Sequence, residues 1–187
     1  MKYINKSFLI LLIFPFFSQA QSITRNEIDE ATNTLVITTE PWNGTSPEKY
    51  QKSNKIFPYL KYLKTEKGRG LYFLSFIVKT DKDLGCLREK SGNVIIKFTD
   101  GESIALKQNS DTNCDFGHYE VSYYLVNKPQ AKDPNWLEKM NKHYDMLSKK
   151  HIASIAIEGS DDVALFELED HEQDVIMLHT NLLNSEI

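Results

Sequence analysis

The sequence predicts an α+β fold built mainly on antiparallel sheet, and three observations carry that expectation. Short segments of alternating apolar and polar residues crowd the middle of the 187-residue chain. One segment of helical period then intervenes, and strand-like segments resume beyond it. Strands that follow one another without interleaved helices pair antiparallel, because parallel pairing needs a long crossover between successive strands.

In chain order, residues 1–20 read as a signal peptide. Lys2 and Lys6 precede the apolar run Phe8-Leu9-Ile10-Leu11-Leu12-Ile13-Phe14, and Ser18-Gln19-Ala20 sets small residues at the −3 and −1 positions of a cleavage site. The run is too short to cross roughly 30 Å of hydrocarbon, and Pro15 interrupts it. The expected product is an exported chain, periplasmic or secreted, with no transmembrane segment. Residues 21–187 suit a single domain with its own core.

Past the leader, Thr24-Arg25-Asn26-Glu27 has capping-box spacing, which predicts a short helical turn. Thr34-Leu35-Val36-Ile37-Thr38-Thr39 is β-branched and bounded by Asn33 and Pro41, as a strand requires. From Glu48 to Lys67 the apolar residues fit a helical stripe in part, and Pro58 breaks it. The apolar run Leu71–Val78 predicts a central strand or one buried on both faces.

The next segments set a register. Val94, Ile96 and Phe98 alternate with polar partners; Asp100-Gly101 turns, and Ile104 and Leu106 resume the pattern. A two-residue loop would oppose Ile104 to Lys97, whereas the three-residue loop Thr99-Asp100-Gly101 opposes Ile104 to Ile96 and Leu106 to Val94. Side chains alternate with period two, so only the odd loop keeps one face apolar, with Gly101 in the left-handed slot of a bulged hairpin.

Tyr119–Val126 alternates as a strand with an aromatic-rich second face. Asp133-Pro134 supplies a cap and a first-turn proline for a helix over 134–150, in which Trp136, Met140, Tyr144 and Leu147 share a face. Ile152–Ile157 and Val163–Leu168 form a second hairpin. The tail from Gln173 to Leu183 reads as a closing helix, although Val175-Ile176-Met177 also suits a strand.

This pattern loosely resembles a group of small, exported, uncharacterised bacterial proteins. The resemblance rests on Asn26-Glu27-Ile28-Asp29-Glu30 with Thr32, on Phe98-Thr99-Asp100-Gly101-Glu102-Ser103-Ile104-Ala105-Leu106, and on Ile152-Ala153-Ser154-Ile155-Ala156-Ile157. It implies a small exported α+β protein and no particular activity.

Composition narrows the chemistry. The formal net charge is −4, and the leader contributes two lysines and no acid, so the remainder is more acidic still. Nucleic-acid binding, which needs a basic face to neutralise phosphates, is not expected. Cys86 and Cys114 read as a disulfide in an oxidising compartment, with two free buried thiols as the plain alternative. No nucleophile elbow, phosphate loop, dinucleotide fingerprint or zinc-protease motif is present, so no catalytic residue, metal or cofactor is expected.

His171-Glu172-Gln173-Asp174 with His179 has some ligand character but reads as a solvated helix face. The acidic stretch from Glu158 to Asp174 lacks a calcium-loop pattern.

The candidate binding patch is Trp42, Lys49, Tyr50, Lys52, Lys55, Tyr59, Lys61, Tyr62 and Lys64, continued by Lys67 and Arg69. Cations beside aromatic platforms suit an anionic glycan or membrane surface; lysine stems lying over a packed apolar segment would produce the same pattern. The expectation is a non-catalytic exported module binding a cell-envelope partner, protein or polysaccharide. The alternatives are a small envelope hydrolase drawing on His118, His171, Asp115 and Glu120, or an enzyme inhibitor.

Overall fold

The alternating segments become strands, but the strands divide between two sheets. The computed structural model describes residues 21–44, 54–66, 68, 70–87, 92–111, 114, 117–125 and 134–187. In chain order the elements are β1 (Ile23–Asp29), β2 (Thr34–Thr39), β3 (Lys55–Thr65), β4 (Leu71–Lys79), β5 (Asn93–Phe98), β6 (Ser103–Lys107) and β7 (His118–Tyr124). Helix α1 (Trp136–Lys149), β8 (Ile152–Glu158), β9 (Val163–Glu167) and α2 (Val175–Asn184) complete the chain. The first sheet has the order β1-β2-β3-β4-β7 and the second β6-β5-β8-β9. Every ladder among the described residues is antiparallel. The mainly antiparallel α+β class therefore holds, and no described helix is long and apolar enough to cross a membrane.

Period-two alternation builds the core. Ile56, Leu60 and Tyr62 of β3, Leu74, Phe76 and Val78 of β4, and Tyr119, Val121 and Tyr123 of β7 point to one face of the first sheet. They meet Val94, Ile96, Ile104, Leu106, Ile155 and Ile157 from the second sheet in one continuous cluster. β4 lies between β3 and β7, and Phe73, Leu74, Ser75 and Phe76 are buried in succession, as a central strand buried on both faces requires. Fully removing a Leu or Phe side chain from water contributes about 1.5–3 kcal/mol. The β5–β6 hairpin takes the odd-loop register, Ile96 opposite Ile104 and Val94 opposite Leu106, with Gly101 at φ +90°.

Three local expectations are corrected. Residues 24–27 belong to strand β1, not to a helical turn. Asn26–Asp29 pair in step with Thr34–Ile37 of β2, and Asp29 accepts hydrogen bonds from the Thr32 amide (3.2 Å) and hydroxyl (3.1 Å) while Asn33 turns at φ +48°. Ladder pairing outweighs a capping signal that has no apolar helical stripe behind it.

Pro58, expected to break its segment, sits inside β3. The ladder to β2 stops at Lys61, so the side on which proline lacks its N–H carries no strand partner there. On that side the Pro58 carbonyl accepts the Trp42 amide at 3.1 Å. Finally, α1 starts at Trp136 with Asn135 as its N-cap and no side-chain cap bond, two residues later than the Asp133-Pro134 signal; Asp133 lies outside the described residues.

The tail is helix. Val175, Ile176, His179, Thr180 and Leu183 are its buried residues, a helical rather than alternating set. α2 lies against α1, β2 and β3.

Cys86 and Cys114 are joined by a disulfide across a sequence separation of 28. The adjacent loop is locked to the β8–β9 turn, where the Asp161 amide donates to the Leu84 carbonyl (3.3 Å) and the Cys86 amide to Ser160 Oγ (3.0 Å). A Cβ on Gly159 would lie 2.0 Å from the Leu84 carbonyl oxygen. Gly159→Ala is therefore expected to cost about 1–3 kcal/mol, the usual range for overpacking, seen as a lowered midpoint in thermal unfolding. Replacing both cysteines by serine should cost about 3–4 kcal/mol in chemical denaturation, through the freed denatured chain. An unchanged midpoint in either variant would contradict the corresponding account.

Candidate functional site

The face of the first sheet turned away from the core carries Phe57, Tyr59, Lys61 and Leu63 from β3, Phe73, Ser75 and Ile77 from β4, and Glu120, Ser122 and Tyr124 from β7. Beyond β7 the chain leaving β6 adds a short extension. Gln108 bridges to Tyr123, and the Asn109 amide donates to the Ser122 carbonyl at 2.7 Å. Between these groups lies a cleft of about 320 Å³ lined by Tyr59, Lys61, Gln108, Ser110, Asp111, Glu120, Val121 and Ser122.

Ser75 stands between Tyr59 and Ser122 in the cross-strand row, on the middle strand. Its hydroxyl meets that of Ser122 at 2.8 Å. Tyr59, 5% exposed, donates its phenol hydrogen to Glu120 Oε1 at 2.6 Å. Burial, then the neighbouring carboxylate, pushes the Tyr59 phenol well above its ordinary value, so it stays protonated. The arrangement holds a carboxylate in a set orientation and offers hydroxyl, amide, ammonium and carboxylate groups along one surface. Those are hydrogen-bonding functions.

A second cluster ties the start of α2 to the first sheet. Glu172 is 5% exposed, and its Oε1 accepts from Asn43 Nδ2 and Lys55 Nζ, both at 3.2 Å, while its Oε2 accepts the Glu169 amide at 3.1 Å. Four residues past the N-terminus of α2, His179 is fully buried; its Nε2–H donates to the Trp42 carbonyl at 3.2 Å, and Nδ1 has no partner among the described residues. Burial depresses His179 to about 4, against the weaker opposing pull of the Trp42 and Pro58 carbonyls. The solvated helix face expected for His171–Asp174 and His179 is thus corrected: Glu172 and His179 are interior, because α2 packs these positions onto β2 and β3. Among the described residues no group of three or more His, Cys, Asp or Glu is placed to hold a metal ion.

The residues proposed from sequence are distributed as follows. Lys49, Tyr50, Lys52, Lys67, Arg69 and Asp115 lie outside the described residues. Lys55, Tyr59 and Lys61 alternate onto the cleft face of β3, whereas Tyr62 and Lys64 point to the other. Lys55 is committed to Glu172, with Glu169 at 3.8 Å, and Tyr62 packs in the core 4.9 Å from the Tyr72 ring. Trp42 is half-buried, its backbone bonded on both sides, and Lys64 is exposed.

His118 begins β7 opposite Lys79, and His171 lies beside Gly44 with its Nδ1 3.6 Å from Glu169. Neither histidine lines the cleft, whereas Glu120 does. Gln108, Ser110, Asp111 and Ser122 were not singled out by sequence. The polar positions of the β7 alternation were the available signal, and the pairing of β4 with β7 gave them a partner surface.

Two measurements check this description. His179 binds its proton more weakly folded than unfolded, so the unfolded chain takes up more protons between pH 6.5 and about 4. Stability should therefore be full above pH 6.5 and fall through that window by up to about 3 kcal/mol, and His179→Phe should flatten this part of the pH profile. Lys55→Met should cost about 1–3 kcal/mol by removing one partner of a buried carboxylate, and the loss should shrink in a Glu172→Gln background.

Compared with known proteins, the chain matches no protein-family model, no curated protein and no solved structure.

Proposed function

We propose that this chain is an exported, non-catalytic binding module, that residues 1–20 are the leader removed on export, and that it engages a cell-envelope partner through the cleft between Tyr59 and Glu120. The observation that carries this reading is the cleft itself: about 320 Å³, set on the outer face of a rigid sheet and walled almost wholly by polar side chains. Binding sites of small ligands occupy roughly 300–1,000 Å³ and gain orientation from a few convergent polar groups. Tyr59, Lys61, Glu120 and Ser122 stand on β3 and β7, so their positions are held by ladder bonds and by the Tyr59–Glu120 contact. The disulfide suits an oxidising compartment, in keeping with export. A polysaccharide is favoured over a protein partner, because protein interfaces centre on apolar and aromatic anchors whereas seven of the eight cleft residues are polar.

The test uses protein produced with its leader and recovered from the exported fraction. It should be retained on insoluble envelope polysaccharide, and Ser110→Trp, a bulky change at an exposed position on the cleft wall, should weaken retention by about tenfold or more, which corresponds to about 1.4 kcal/mol. Equal retention of the two proteins would overturn the assignment of binding to this cleft. Recovery of the chain only inside the cell would overturn export.

A further inference from the structure

The second sheet also has an outer face, and the ladder register sets out a pattern on it. The central row runs Ala105 on β6, Ile95 on β5, Ala156 on β8 and Leu165 on β9, so small and large apolar side chains alternate across the sheet. Ile95 is 37% exposed and Leu165 57%, with Val163 nearby at 43%, so water meets this row directly. Covering such side chains is favourable, and an exposed apolar row rimmed by polar residues marks an interaction surface.

The rim carries charge in a fixed order. On one side of the apolar row, Ser103, Lys97, Ser154 and Glu167 form the next row; on the other, Lys107, Asn93, Glu158 and Val163 do. Both cations therefore stand on the β6–β5 half of the sheet, and both anions on the β8–β9 half. Lys97, Lys107 and Glu167 are exposed, and Glu158 accepts from Asn93 Nδ2.

Size and charge fit one geometry. A two-fold axis parallel to the strands, midway between β5 and β8, sets β6 over the second copy's β9 and β5 over its β8. Leu165 then meets the second copy's Ala105, and Ile95 its Ala156. Each large side chain faces a small one, which suits sheets packed about 10 Å apart with interdigitating side chains. Each lysine lies one strand spacing from a glutamate of the second copy, Lys97 from Glu167 and Lys107 from Glu158. That makes four opposite pairs against two like pairs at the same spacing, where Lys97 and Glu158 each lie beside their own equivalents. An axis perpendicular to the strands instead sets Leu165 on Leu165, Ile95 on Ile95 and the cationic halves on each other.

We infer that the outer face of the second sheet is a self-association surface, docking a second copy of this chain face to face about an axis along the strands. Such an interface is isologous, the same patch serving both copies. Pairing through the β9 edge is disfavoured, because Lys82 Nζ already donates to the Val163 carbonyl of that strand at 2.7 Å. Four strands spaced about 4.8 Å apart and about 17 Å long give a face on the order of 300 Å². A standard interface covers about 800 Å² per partner, so the dimer is weak and forms at high protein concentration. The cleft on the first sheet lies on the opposite side of the core and stays open in the dimer.

The experiment is sedimentation velocity of the exported protein at rising concentration, where a reversible monomer–dimer shift should appear toward the millimolar range. Ala105→Glu, an exposed change facing the second copy's Leu165, should weaken association about tenfold or more with the thermal midpoint little changed. Lys97→Glu and Glu167→Lys should each weaken it several-fold, and a chain carrying both changes should recover. A short bismaleimide should join Ala105→Cys chains to Leu165→Cys chains in a mixture, and neither variant to itself.

A chain that stays monomeric to the millimolar range, or a dimer that Ala105→Glu leaves unmoved, would overturn the surface. Failure of the double charge change to recover association, or cross-linking of Ala105→Cys chains to one another, would overturn the axis.

Discussion

Four successive residues of β4, Phe73 to Phe76, are closed off from water, and the layers of the molecule follow from how they are covered. Leu74 and Phe76 turn inward, where β5, β6, β8 and β9 supply the opposing apolar row, so the second sheet exists to cover the first. Replacing either side chain by alanine would leave a cavity of the kind that costs about 2–5 kcal/mol. Phe73 and Ser75 turn outward, Ser75 between Tyr59 and Ser122, the two strand residues that line the cleft on either side of it.

The polar contacts mark the edges of that apolar frame. Glu172, Asn43 and Lys55 form one buried network, and His179 reaches the neighbouring Trp42 carbonyl, so α2 is tied to the chain entering β3 by hydrogen bonds as well as by Ile176 and Leu183. A buried carboxylate demands such partners, because an uncompensated charge in the interior is costly. On the second sheet, Lys150 Nζ reaches Asp100 at 2.7 Å and Glu102 at 2.8 Å, joining the end of α1 to the β5–β6 turn. That contact is solvent-facing and contributes little to stability, but it orients the hairpin.

The cleft differs from both regions, because its walls are almost wholly polar. Its wall residues come from β3, from β7 and from the segment that follows β6, which are far apart in sequence and adjacent only because β4 lies between β3 and β7. The lysines that suggested a binding patch have been sorted by the same geometry. Lys55 is drawn into the α2 network, Lys61 joins the cleft, and Lys64 faces the opposite side of β3. Alternation along one strand separates neighbours in sequence, so a run of cations is not a basic surface.

By itself the sequence determined what depends on local pattern: the alternating strands, the helix over most of 134–150, and the hairpin whose odd loop places Ile96 opposite Ile104. It also raised the Cys86–Cys114 bridge, from an even pair of cysteines. The tertiary structure decided what depends on partners. It made residues 23–29 a strand through their ladder to β2, admitted Pro58 because β2 ends short of it, and turned Glu172 and His179 inward by docking α2. The cleft belongs to this second group. Periodicity states which residues share a face of one strand, whereas strand order, which brings Tyr59 within 2.6 Å of Glu120, is set by how faces from distant segments bury one another.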